Sequence, residues 1–188
     1  MQIIDENKIT FIIPSVNRET LTNSVNSLIN QTNGNWKCII IYDGVSGVEF
    51  EDERIKCIEI NKLGNNTSTH GVSGLVRDIG LDLVDTGWIG FLDDDDSLEP
   101  EYVETLFSKY TDYDFVIFRM IWENGRVFPS GESLYFGNVG ISFCYKNKFE
   151  GLRFGINDDG EDFKFVEKLT NLSKNYIITP EILYRVNH

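Results

Sequence analysis

Two short runs, Ile9-Thr10-Phe11-Ile12-Ile13 and Cys38-Ile39-Ile40-Ile41-Tyr42, are apolar almost without interruption. Between them Leu21, Val25, Leu28 and Ile29 recur at helical spacing, with Asn17 placed to cap the helix. A strand showing one face to water would alternate with period two; these do not, so both of their faces must be covered. Strand, helix and strand at this spacing make a βαβ unit, and a parallel sheet is expected. This unit restricts the chain to an α/β fold.

The pattern continues. Ile55–Ile60 reads as a third strand, residues 61–70 as a polar loop, and Val72, Leu75, Val76, Ile79 and Leu83 as a second amphipathic helix. That helix leads into Trp88-Ile89-Gly90-Phe91-Leu92, a fourth strand, and a helix is expected to begin near Pro100. Further on, Phe115–Trp122 and residues 140–145 read as strands, with Asn124-Gly125 as a turn. A helix buries Phe163, Val166, Leu169 and Leu172, and residues 176–180 and 182–188 close the chain. At 188 residues this is most simply one domain, 1–188.

In an open sheet of parallel strands, ligands bind outside the carboxyl ends. Three of those ends carry Pro14-Ser15, Asp43-Gly44 and the run Asp93-Asp94-Asp95-Asp96, so these groups are expected on one rim. Neither GxGxxG nor GxxxxGK[ST] occurs, which argues against a dinucleotide dehydrogenase or a P-loop enzyme. In water, neighbouring carboxylates repel by about 1 kcal/mol, but roughly 3 to 4 kcal/mol at an effective dielectric near 20. A half-buried run of four therefore calls for a cation, and a hard divalent ion suits oxygen ligands. The competing reading is a solvated turn in which Asp96 or Ser97 caps the next helix.

Asp and Glu number 30 against 17 Lys and Arg, which argues against nucleic acid or an anionic membrane as partner. No signal peptide opens the chain and no apolar run is long enough to span a bilayer, so a cytoplasmic location is expected. Cys38, Cys57 and Cys144 lie in apolar runs and read as buried thiols of a reducing compartment.

With these pieces placed, the chain resembles the family 2 glycosyltransferases of the GT-A fold. The resemblance rests on Ile12-Ile13-Pro14-Ser15-Val16-Asn17-Arg18, Ser27-Leu28-Ile29-Asn30-Gln31-Thr32 and Ile40-Ile41-Tyr42-Asp43-Gly44. It continues through Gly71-Val72-Ser73-Gly74-Leu75-Val76-Arg77-Asp78-Ile79-Gly80-Leu81 to Phe91-Leu92-Asp93-Asp94-Asp95-Asp96. Gly160-Glu161-Asp162 and the closing Tyr184-Arg185-Val186-Asn187-His188 match more loosely. The resemblance implies a GT-A domain with a mostly parallel, Rossmann-like sheet flanked by helices. Residues 1–100 would form its nucleotide-sugar and metal half, and 101–188 its acceptor and base half.

The implied reaction is metal-dependent, inverting and non-processive transfer of a sugar from a nucleotide-diphosphate donor, UDP-sugar favoured, to a glycan or other acceptor hydroxyl. The resemblance puts Asp43, Pro14 and Ser15 at the base pocket and Asp93-Asp94-Asp95 at the DxD motif. Asp95 would bind Mn²⁺ or Mg²⁺, with Asp93 or Asp94 at the ribose or completing the coordination shell; the register within the run is open by one residue. Arg77 would lie near the nucleotide or pair with the aspartates. Asp162 would be the catalytic base, with Glu161 as second choice, or both would be first-turn acids favoured by the helix dipole. His188 would approach the metal, and His70 reads as a loop residue. Tyr42 and Asp78 depart from the family pattern, Tyr42 where base or ribose contacts are expected. The alternatives are a haloacid-dehalogenase-like phosphatase, whose nucleophile loop is also a strand ending in DxD, or a nucleotide-sugar-binding module without activity.

Overall fold

A computed structural model describes residues 4–63, 72–155 and 160–187. In chain order the elements are β1 (Asp5–Ser15), α1 (Leu21–Ile29), β2 (Trp36–Asp43), β3 (Ile55–Ile60), α2 (Ser73–Leu81) and β4 (Thr86–Phe91). Then follow β5 (Ser97–Leu98), α3 (Tyr102–Lys109), β6 (Phe115–Trp122), β7 (Val127–Phe128), β8 (Phe143–Lys146), α4 (Glu161–Leu172) and β9 (Tyr176–Val186). The sheet runs β3-β2-β1-β4-β8-β6-β9-β5, with β7 hairpinned onto β6.

The β3-β2-β1-β4 portion is parallel throughout. Beyond β4 the sheet is mixed. β8 runs antiparallel to both β4 and β6, β9 is parallel to β6, and β5 is antiparallel to β9. The chain starts at β1, adds β2 and β3 on one side, then returns to add β4 on the other, which makes β1 the topological switch point. Its carboxyl end is where a crevice opens in such sheets.

Alternation along β1 places helices on both faces. Ile12 faces α2, while Phe11 meets Tyr102 of α3 edge to face with centroids 5.5 Å apart. Gln31 joins α1 to α3, donating to the carbonyls of Ser27 and Glu99 and accepting the Val103 N–H. On the Ile12 face, Phe91, Phe143, Phe154 and Phe165 stack into one cluster, which seats α4 on the sheet. Such aromatic pairs contribute about 0.5–1.5 kcal/mol each beyond area burial.

Several sequence expectations are corrected. Asn17 does not cap α1: it sits in the left-handed region (φ 62) and donates its side-chain amide to Ser46 O, while Thr20 stands at the N-cap. Ser97 and Leu98 form β5, so neither Asp96 nor Ser97 caps α3, whose N-cap is Glu101. Ile29, Leu83 and Leu172 are exposed: three-dimensional packing makes the buried stripes narrower than periodicity suggests, and Ser24, Gly74, Arg77 and Phe165 enter them instead. Cys57 is only half-buried because β3 is an edge strand.

α2 approaches β1 so closely that a Cβ on Gly80 would lie 2.6 Å from Ile12 Cγ2 and 3.1 Å from Ile41 Cδ1. Both isoleucines are fully buried and branched, so neither can yield. Gly80→Ala gains about 1 kcal/mol of helix propensity but overpacks this contact, which costs about 1–3 kcal/mol. A lowered urea midpoint at unchanged slope is expected. A midpoint equal to the parent's would show that the helix shifts freely.

Candidate active site

The parallel strands deliver their terminal groups to one cleft of about 440 Å³, lined by Pro14, Ser15, Arg18, Asp43, Arg77, Asp93, Asp94 and Asp95 together with Val16, Val72, Ser73 and Val76. Ser15 ends β1, Asp43 ends β2, and the aspartates follow β4. β4 is buried along its whole length. Leu92 N–H still donates to Ile12 O before the chain turns, and the turn closes with Asp96 N–H donating to Asp93 O at 3.2 Å.

Within this turn the four carboxylates alternate. Asp93 and Asp95 are part-exposed toward the cleft, whereas Asp94 and Asp96 are buried. The buried pair is neutralised locally. Asp94 accepts from Ser15 Oγ at 2.7 Å and from Arg18 at 3.2 Å; burial raises its pKa, and those two partners oppose the rise. Asp96 accepts the Asn187 N–H, and burial, then the charge of Asp93, pushes it up to about 7 against the stabilising hydrogen bond from Tyr184. Partners thus hold Asp94 charged, whereas burial disfavours the charged form of Asp96. Arg18, which the sequence reading gave no role, also pairs with Asp95.

A second cluster adjoins the first. Arg77 is 3% exposed and bridges Asp93 at the cleft to Glu161 at the start of α4. Burial pulls its pKa down, but Asp93, Asp162 and Glu161 raise it further, so it stays charged. Glu161 is fully engaged: besides Arg77 it accepts Ser73 Oγ at 3.2 Å and Gly74 N–H at 3.1 Å, holding the first turn of α2. Asp162 differs. The residue is part-exposed, yet its Oδ1 is sealed from solvent and has no hydrogen-bond partner among the described residues. Burial pushes its pKa up to about 7; Arg77 lowers it, and Asp93 and Glu161 raise it.

Asp43 accepts Leu63 N–H at 2.6 Å, which orients its carboxylate in the cleft wall. Tyr42 is spent elsewhere, its hydroxyl donating to Val48 O at 2.7 Å. Asp78 accepts the N–H groups of Phe154 at 2.7 Å and Gly155 at 2.9 Å, anchoring the approach to α4. No local sequence signal marks that role, because the partners lie more than seventy positions away. His70 and His188 lie outside the described residues. Among the described residues no three His, Cys, Asp and Glu side chains form a ready-made metal cage, and Asp93 and Asp95 are each paired to an arginine.

The family profile described as Glycosyl transferase family 2 matches residues 10–158, most of the chain and every residue that lines the cleft. The chain belongs to glycosyl transferase family 2. Glycosyltransferase GlyA of Streptococcus pneumoniae serotype 4 is 28% identical over an alignment of 221 positions covering 95% of this chain and 30% of GlyA. The Escherichia coli UDP-Glc:alpha-D-GlcNAc-diphosphoundecaprenol beta-1,3-glucosyltransferase WfgD is 32% identical over 100 positions, covering 50% of this chain and 37% of WfgD. The chain therefore spans about a third of the length of these curated relatives. Among solved structures, S. aureus TarS residues 1–349 with UDP superposes at a TM-score of 0.76 and 18% identity over 96% of this chain and 60% of that one. The same TarS fragment with UDP-GlcNAc gives 0.74. This likeness shows the fold: the GT-A glycosyltransferase architecture anticipated from the sequence, with a mixed rather than mostly parallel sheet. The phosphatase alternative is not favoured. Among the described residues no helix is long and apolar enough to cross a membrane.

Proposed function

We propose that this family 2 domain transfers a sugar from a UDP-sugar to an acceptor hydroxyl with inversion. The observation carrying this reading is the convergence of Ser15, Asp43, Asp93 and Asp95 on one cleft, with the part-exposed Asp162 next in the chain to Glu161, the second partner of Arg77. Support for a uridine donor comes from the UDP and UDP-GlcNAc complexes of TarS and from the UDP-Glc donor named for WfgD. Asp43, lining the cleft with Pro14 and Ser15, would accept the N3 hydrogen of uracil.

The donor set fits a hard divalent cation. Asp93 and Asp95 offer carboxylate oxygens on one side of the turn, two residues apart, and Mn²⁺ or Mg²⁺ prefers such ligands. Arg18, 52% exposed and paired with Asp95, would have to release that carboxylate for it to serve as a ligand. When bound, the ion supplies Lewis-acid neutralisation of the departing diphosphate. The chain's own contribution is positional. Arg77 fixes Asp93 and the start of α4 relative to one another, and Asp162 accepts the acceptor's proton as its oxygen attacks the anomeric carbon from the face opposite UDP.

Calorimetry of UDP binding tests the donor site. Affinity is expected to rise about tenfold or more with Mn²⁺ over chelator, and Asp95→Ala is expected to abolish most of that gain. Equal affinity with and without the ion would remove metal from the mechanism. No UDP binding under either condition would sink the donor assignment.

A further inference from the structure

Tyr135 and Phe136 are 56% and 60% exposed, and no other aromatic side chains among the described residues are exposed. A large apolar ring held in water usually marks a contact surface. The loop carrying them is rigidly tied. Asn138, 1% exposed, accepts Tyr135 N–H at 2.8 Å and donates its side-chain amide to Ser133 O at 2.6 Å, while its own N–H donates to Tyr135 O at 3.1 Å. Upstream, Arg119 fastens Pro129 and Glu132 to Thr179 of β9. The two rings therefore project from an exposed loop that is anchored by hydrogen bonds to the buried Asn138 and to Arg119.

Their position relative to α4 gives them a purpose. Phe136 meets Phe163 edge to face, centroids 6.0 Å apart, and lies over Gly160, where a Cβ would come within 2.2 Å of its ring. Gly160 is left-handed (φ 67), so glycine meets both the backbone and the space requirement there. Gly160 and Phe163 flank Glu161 and Asp162. Contacts thus run from the cleft through Asp93 and Arg77 to Glu161, and Phe136 packs against the residues on either side of the Glu161-Asp162 pair.

Resting on the transferase reading, we propose that Phe136, flanked by Tyr135, is the stacking platform for a pyranose ring of the acceptor. The axial C–H bonds of one sugar face carry slight positive charge and meet the negative face of an aromatic ring, giving apolar contact without spending the hydroxyls. A hydroxyl of the stacked sugar is then presented beside Asp162, and an acceptor without a ring, such as a simple alcohol, is held poorly. This makes the acceptor class carbohydrate.

Saturation-transfer NMR of the full chain, with UDP and diamagnetic Mg²⁺ present, uses the methyl β-glycosides of glucose, galactose and N-acetylglucosamine as probes. For at least one probe, transfer is expected to fall mainly on the protons of a single ring face. Phe136→Ala is expected to cut it roughly fivefold or more, whereas Phe136→Trp retains it. Because Phe136 is exposed, its truncation leaves the core intact; UDP isotherms for each variant, expected within about twofold of the parent, verify this. Undiminished saturation transfer from Phe136→Ala to the probe, or none from the parent to any of the three probes, overturns the platform while leaving UDP binding as evidence for the donor site. If the parent does not bind UDP, the transferase reading fails and the platform fails with it.

Discussion

Replacing Asp162 by asparagine is expected to lower sugar transfer by about a hundredfold to ten-thousandfold, the usual worth of a positioned general base. The amide keeps the volume of the carboxyl but cannot take a proton. UDP binding is expected to stay within about twofold, because Asp162 does not line the donor cleft. The pH dependence carries a second signature. With its pKa pushed up to about 7 by burial, Asp162 is protonated and idle in acid. Transfer in the parent should therefore fall roughly tenfold per unit below about pH 7 and level off above it. A cation at Asp93 would offset one of the charges raising Asp162 and move that limb to lower pH. The stability linkage has the opposite sense. A carboxyl whose folded pKa lies above its ordinary value binds more protons folded than unfolded, so stability declines as pH rises from about 4 toward about 7. Asp162→Asn should remove its share of that decline and leave the share of Asp96, whose pKa is also pushed up to about 7. Single-turnover transfer at saturating donor, measured across pH, decides the matter. Full transfer by Asp162→Asn would move the base elsewhere.

The second large effect belongs to Arg77. Its guanidinium is buried, and its two arms hold Asp93 and Glu161, carboxylates from elements far apart in sequence. Arg77→Met keeps the apolar stem but strands both carboxylates. Breaking a buried pair in this way costs about 3–5 kcal/mol, and the lower end applies because Asp93 reaches solvent and Glu161 keeps its bonds to Ser73 and Gly74. Arg77→Lys retains the charge, but a single ammonium cannot span both partners, so only part of the loss should be recovered. Urea unfolding at pH 7 gives the order parent, Lys, Met. Arg77 also lowers the pKa of Asp162, so in either variant that lacks its full charge contact the rising limb of transfer should shift to higher pH. An Arg77→Met protein as stable as the parent would show that the bridge is not a structural tie.

Glu161 and Asp162 are adjacent and chemically alike, and in the sequence they differ only in order of preference as base. The structure separates them by occupancy: Glu161 accepts from three donors, while Asp162 Oδ1 has no partner among the described residues. The aspartate run was ambiguous for the same reason. Four identical residues carry no register of their own; the turn between Asp93 and Asp96 supplies it by sending alternate carboxylates inward.

The amino-acid sequence by itself determined the parallel half of this protein. Near-continuous apolar runs at β1, β2 and β4 require cover on both faces, and the intervening amphipathic segments provide it. Parallel pairing then sends Ser15, Asp43 and the aspartates to the same rim, so most of the cleft was legible as a list of strand ends. What followed β4 was not. Strand direction beyond that point depends on pairing partners, and β8 and β6 pair antiparallel through contacts that no local period encodes. Charge partnership was equally a tertiary decision. Arg18 reaches Asp94 and Asp95 across more than seventy residues, Asp78 holds the segment before α4, and Arg77 joins β4 to α4. Hydrophobic periodicity specifies which face a residue shares; which charge it meets is set only when separate elements pack, because long-range electrostatic partners follow from distance in space rather than in sequence.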